Sequence, residues 1–167
     1  MIQVYTGNGK GKTTAALGLA LRASGAGLKV YIGQFVKGRQ YNELKALKKI
    51  KNIKVEQFGK SCFIKKTPCQ KDMDLAKKGL KKVKGVLAKR IYDVVILDEI
   101  NIALKYKLLA LKEVLELIKR ASPKTELVLT GRYAPPEIIK AADLVSQMKK
   151  IKHYYQKGIK ARKGIEF

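Results

Sequence analysis

The sequence predicts an α/β domain: three layers, with a mainly parallel central sheet held between helices. Two observations predict it. Short apolar stretches rich in β-branched residues alternate with Ala-, Leu- and Lys-rich stretches at helical spacing along the chain. One apolar stretch, Val94-Val95-Ile96-Leu97, runs without a polar break, as a strand covered on both faces does. Such alternation closes into a parallel sheet through right-handed crossovers. The 167 residues suit one compact unit, residues 1–167, with no internal repeat and no linker.

The elements follow in order. Ile2–Thr6 reads as a short apolar strand. Lys12–Ser24 reads as a helix rich in Ala and Leu, stopped by Gly25-Ala26-Gly27. Leu28–Phe35 is a second strand, Tyr41–Ile50 a helix and Ile53–Phe58 a third strand. Residues 59–70 show no period, and Pro68 breaks them. Lys71–Lys89 is a long basic amphipathic helix, and Tyr92–Leu97 is the buried strand. Leu108–Arg120 is a helix, Glu126–Thr130 a fifth strand and Pro135–Ala141 a short helix with early proline. Leu144–Ile151 is expected as a last strand, and the basic tail from Lys152 shows no period.

Composition narrows the function classes. No apolar run reaches the length of a membrane span, and no signal peptide is visible, so a cytoplasmic protein is expected. Cys62 and Cys69 are separated by six residues, with one histidine in the chain, which is not zinc spacing. The net charge of +24 attracts anions. Nucleic acid, polyphosphates and acidic protein partners all answer that description, as does a plain lysine-rich solvated surface. The lysine pairs are dispersed along the chain, a poor pattern for nucleic acid.

The first strand runs directly into Thr6-Gly7-Asn8-Gly9-Lys10-Gly11-Lys12-Thr13-Thr14, and a helix follows. This is the context of a P-loop. Its glycines let successive amides turn inward on phosphate oxygens, and the helix start adds a positive dipole end. Lys12 brings a full charge to the terminal phosphates, and Thr13 a hydroxyl for Mg²⁺. The first glycine comes one step late: Thr6 stands where G-x-x-x-x-G-K-[ST] begins. With this loop, the predicted architecture becomes that of a RecA-like P-loop NTPase.

Two further strand ends complete the constellation. Val94–Leu97 leads into Asp98-Glu99, the Walker B form. Parallel strands deliver their C-terminal ends to the ligand crevice, which puts Asp98 in reach of Mg²⁺. Glu99 is either a second metal contact or a base. The fifth strand ends in Leu129-Thr130-Gly131-Arg132, offering Arg132 to a leaving phosphate chain. These parts alone say that Mg-ATP is bound and do not say which bond breaks. A nucleic-acid-stimulated ATPase and a small-molecule kinase share them.

Taken together, the motifs resemble the P-loop corrinoid adenosyltransferases of the CobA/CobO/BtuR type. The matching stretches are Val4–Ala16 around the loop, Gln34–Gly38, Ile96–Asn101, Leu129–Arg132, Ala142–Val145, Lys152-His153 and Gly164–Glu166, in the family's order. The late first glycine is that family's own variant. The resemblance implies that Co(I) of a reduced corrinoid attacks the 5′ carbon of ATP and that the whole triphosphate leaves. It implies that ATP, lying in the reverse sense to other P-loop enzymes, is held by the loop, Gly7 to Thr14. It also implies Mg²⁺ on Thr13 and Glu99, catalytic roles for Lys12, Glu99 and Arg132, and supporting roles for Asp98 and Asn101. His153 is a mild site candidate. A flavodoxin-like or other flavin reductant and a homodimer are expected on the same ground, and a +24 surface suits an acidic reductant.

Two departures stand out. Family members often carry Phe-x-Trp after the third strand, which crowds the corrinoid's lower face. Here Phe63 matches the aromatic, Lys65 stands at the Trp position, and the chain has no Trp. Tyr41, Tyr154 and Tyr155 are the aromatics offered instead. Some relatives also cover the site with an N-terminal extension; here the glycine-dotted tail around Gly158 and Gly164 is expected to do so.

Overall fold

A computed structural model describes residues 1–39, 41–60 and 67–166. Its elements are β1 (Ile2–Thr6), α1 (Lys12–Gly25), β2 (Val30–Phe35), α2 (Asn42–Leu47), β3 (Ile53–Phe58), α3 (Gln70–Lys89) and β4 (Val94–Asp98). There follow α4 (Ile100–Lys105), α5 (Leu111–Arg120), β5 (Glu126–Thr130), α6 (Pro136–Lys140), β6 (Leu144–Gln147) and a 3₁₀ turn at Tyr154–Lys157. The six strands form one sheet in the order β3-β2-β4-β5-β1-β6. Every pairing is parallel, so the mainly parallel sheet of the sequence is fully parallel among the described residues.

Alternation along the strands divides the core. Val95 and Leu97 of β4 join the cluster under α3, α4, α5 and α6. Val94 and Ile96 face the other way, toward Ala16, Ala20 and Ala23 of α1 and Leu47 of α2. The alanine row at i, i+4 and i+7 explains why α1 lies close on the sheet. All five residues of β4 are buried, and each apolar one contributes about 1.5–3 kcal/mol by leaving water. This strand fixes the two acids that end it.

Several boundaries differ from the sequence reading, and four of the differences have a clear local reason. β4 runs on through Asp98, because that carboxylate is fully hydrogen-bonded inside the sheet edge. Glu99 then takes a left-handed φ of 61° and starts α4, a short helix that periodicity does not reveal. Leu108 and Leu109 are buried but precede the helix, which begins at Leu111 after a turn at Lys107 (φ 54°). β6 stops at Gln147, because Met148 keeps only its amide on Thr6 while its carbonyl turns to the Gly9 amide of the glycine loop.

Candidate active site

The C-terminal ends of β1, β2, β4 and β5 meet on one edge of the sheet, and the site is built there. The glycine loop lies between β1 and α1. Gly7 (φ 95°) and Gly9 have no room for a side chain: a Cβ would sit 2.4 Å and 2.8 Å from the Met148 carbonyl oxygen. The Gly9 amide donates to that same oxygen at 2.7 Å, and Lys150 N donates to Asn8 Oδ1 at 3.1 Å. So the chain leaving β6 closes the front edge of the loop, and the late glycine serves that close approach. Beyond it, the amides of Lys10, Gly11, Lys12, Thr13 and Thr14 have no acceptor among the described residues. Five consecutive free donors at a helix start form an anion cradle.

Lys12 is buried and donates to Gly9 O at 2.7 Å. Burial pulls its ammonium below the ordinary lysine range, and Arg132 pushes the same way against the pull of Glu99 and Asp98. An anion in the cradle relieves that cost. Asp98 is 1% exposed and carries four hydrogen bonds. Its Oδ1 accepts from Thr13 Oγ1 at 2.9 Å and Thr130 Oγ1 at 2.7 Å. Its Oδ2 accepts from Lys37 Nζ at 2.7 Å and Gln34 Nε2 at 3.2 Å. Lys37 also donates to Thr13 Oγ1 at 3.1 Å. Burial works against the charge on Lys37, but Asp98 outweighs it and holds the ammonium above its usual range. Glu99 is held above the ordinary carboxyl range by burial first and by the neighbouring Asp98 charge second.

A cleft of about 810 Å³ runs from the loop along α1 and α2. Residues Gly9 to Thr14, Lys37, Tyr41, Glu99 and Arg132 line it, and the tail closes it with His153, Gly164, Ile165 and Glu166. Of the tail expected to cover the site, Gly164 lines the cleft and Gly158 does not. Lys10 Nζ donates to Tyr154 Oη and Glu166 Oε1, both at 2.8 Å, and Tyr154 also bonds Glu166. Gly7 and Asn8 line a second hollow of about 550 Å³ on the far side of the loop, shared with Arg132, Tyr133 and Lys149. Arg132 is exposed and opens to both hollows.

Of the sequence candidates, the structure brings Lys10, Gly11, Lys12, Thr13, Thr14, Glu99 and Arg132 to one cleft, with Asp98 beneath Thr13. Asn101 is fully buried behind it: its Nδ2 donates to Gly131 O at 3.3 Å, and its Oδ1 has no partner among the described residues. Tyr155 is 76% exposed and stands away from the cleft lining. Phe63, with Cys62 and Lys65, lies outside the described residues. Sequence reasoning gave no role to Lys37, Gln34 or Thr130. The signal available was position: Gln34 and Thr130 lie at the carboxyl ends of parallel strands, and Lys37 two residues past one.

The donor set suits a hard divalent cation. Thr13 Oγ1 and the Asp98 carboxylate are oxygen donors 2.9 Å apart, Glu99 lines the same cleft, and the Lys37 ammonium already places a positive charge against both Thr13 and Asp98. Among the described residues no cluster of three or more His, Cys, Asp or Glu exists, which is no obstacle for a cation whose remaining ligands are phosphates and water. No helix among the described residues is long and apolar enough to cross a membrane.

Comparison with known proteins places the chain in a family. The family model for "ATP:corrinoid adenosyltransferase BtuR/CobO/CobP" matches residues 1–167. A corrinoid adenosyltransferase of Pseudomonas aeruginosa is 37% identical over 100% of this chain and 83% of its own length. One from a Sinorhizobium species is 37% identical (100% and 80%), and that of Escherichia coli K12 is 34% identical (100% and 85%). A chain that carries the variant loop, the Asp-Glu strand end and the Thr-Gly-Arg turn on one sheet edge, and that matches this model from end to end, belongs to the ATP:corrinoid adenosyltransferase family.

Proposed function

We propose that this chain transfers the 5′-deoxyadenosyl group of ATP to the Co(I) of a reduced corrinoid. The observation that supports it most is the cradle of five free amides beside a front edge closed by Met148. The cobalt supplies the electron pair for the new Co–C bond, and the C5′–O5′ pair leaves on the triphosphate. No side-chain nucleophile is required. The protein's tasks are to hold carbon and cobalt in line and to take up charge growing on the leaving chain.

In this reading the amides of residues 10–14 bind the triphosphate. Lys12 leaves Gly9 O for a phosphate oxygen, and Arg132 reaches the chain from the β5–α6 turn. Thr13, Asp98 and Glu99 are the ligands proposed for Mg²⁺, which when bound neutralises phosphate charge. The tail from His153 to Glu166 excludes water from the cleft. Asn101 holds the Gly131 turn, and so the direction of Arg132, from behind. A flavin-protein reductant and a homodimer belong to the same proposal. Reductant-coupled rates should fall with rising salt while chemically reduced rates hold steady, and sedimentation should report twice the chain mass.

The deciding experiment is incubation with ATP, Mg²⁺ and chemically reduced corrinoid, read by formation of a light-sensitive cobalt–carbon product. Mass analysis should find intact triphosphate. ADP or inorganic phosphate, released with the corrinoid unchanged, overturns the reading. Lys12→Ala should abolish product at ordinary ATP levels, and unchanged turnover in that variant would mean that the phosphates lie elsewhere.

A further inference from the structure

Lys37 is held in place by three separate features of the backbone. Val36, a β-branched residue, takes φ 60° directly after β2, a conformation such residues rarely adopt. Gly38 lies so close to the next strand's exit that a Cβ would meet Gly59 O at 2.3 Å. Gly59 returns the contact, its would-be Cβ 2.4 Å from Lys37 N. The turns after β2 and β3 are thus packed backbone to backbone around Lys37. Its side chain is 17% exposed and faces an Asp98 side chain that is 1% exposed, and its ammonium lies 5.8 Å from the Tyr41 ring centre. A strained, close-packed turn that aims a half-buried cation at a buried acid is built for a task. Surface ion pairs need no such investment.

The position of the charge defines that task. Lys37 Nζ donates to Thr13 Oγ1 and Asp98 Oδ2, oxygens of two of the residues read here as cation ligands. Both acceptors are satisfied by it, and two positive centres do not occupy one place. We infer that Lys37 is an internal counter-cation that blocks the divalent-ion site until nucleotide arrives, so that metal enters only together with a triphosphate. The incoming phosphates give the ammonium a new partner, and the vacated oxygens then become available. This inference rests on reading Thr13 and Asp98 as cation ligands, not on the corrinoid step.

Mn²⁺ binding to the nucleotide-free protein, followed by electron paramagnetic resonance, tests it without any corrinoid. Wild type and Lys37→Arg should bind Mn²⁺ weakly. Lys37→Met and Lys37→Gln, which leave Asp98 without its cation, should bind it about ten- to a hundredfold more tightly. Asp98→Asn combined with Lys37→Met should lose that gain. Equal Mn²⁺ affinity in wild type and in both neutral variants, with native circular dichroism retained by either one, overturns the inference. A gain in Mn²⁺ binding in a protein that makes no adenosylated product would sink the proposed reaction and leave this inference standing.

Discussion

Thr130→Val isolates how the two acids are held. Thr130 is fully buried at the end of β5, between the acid-bearing strand and β1. Its hydroxyl donates to Asp98 Oδ1 at 2.7 Å and accepts the Glu99 amide at 3.0 Å. Valine keeps the shape and removes both bonds. Loss of a hydrogen bond to a charged acceptor costs about 1.5–3 kcal/mol, and an orphaned buried amide about 1–3 kcal/mol. The two share one group and do not add in full, so about 3 kcal/mol is expected. With a urea slope of about 2 kcal/mol/M, the unfolding midpoint should fall by about 1.5 M. Thr130→Ser is the control: it keeps both bonds and loses one buried methyl, worth about 0.8 kcal/mol and about 0.4 M. Equilibrium urea titration by far-UV circular dichroism reads both. Equal midpoints for the Val and Ser variants would refute the argument, because the hydroxyl would then hold nothing.

Three further outcomes are expected. Gly9→Ala places a Cβ 2.8 Å from Met148 O and 3.0 Å from the Lys149 carbonyl group, all backbone atoms, so the loop must open; calorimetry with Mg-ATP alone should show at least about tenfold weaker binding. Glu99→Gln should stabilise the fold at pH 7. A carboxyl held above its ordinary range favours the folded state when protonated, so its cost sets in as pH rises past the usual glutamate range, and the variant's advantage should vanish below that range. Adenosylation by that variant should fall at least about tenfold. Glu166 is held well below the ordinary carboxyl range by Lys10 first and Tyr154 second, so the tail contact is complete above that range and is lost only as pH falls through the depressed value. Glu166→Gln should speed hydrogen exchange of amides 153–166 at neutral pH, and unchanged exchange would deny the tail its tie to Lys10.

Much of this site is legible in the residues because its chemistry is local. The loop from Gly7 to Thr14 announces itself by glycine spacing and by the strand and helix around it. Asp98-Glu99 announces itself by an apolar run that ends in two acids, in a chain with few acids. Lys37 was legible only as part of a matching stretch. Its partner is 61 positions away, and nothing about one lysine among many marks it as buried. The reason for Gly7 and Gly9 was equally hidden, since Met148 reaches them only through β6, the last strand of the sheet. The short helix α4 escaped because six residues give too little period to read.

What long-range assembly adds is strain in chosen places. Three non-glycine residues with left-handed φ follow three parallel strands: Val36 after β2, Glu99 after β4 and Tyr133 after β5. Each costs about 1–3 kcal/mol and lies beside a charge of the cleft. Val36 sets Lys37, Glu99 presents its own carboxyl, and Tyr133 closes the turn that carries Arg132. None of the three lies inside a helix or strand. They sit past the buried C-terminal ends of these strands, so the sheet that fixes β2, β4 and β5 also holds the strained residues. Replacing Val36 by glycine should therefore stabilise the turn locally while loosening the aim of Lys37, whereas a stiffer β-branched isoleucine should preserve it. If Val36→Gly left both stability and nucleotide-free Mn²⁺ affinity unchanged, the strain at β2 would have no connection with the charge beside it.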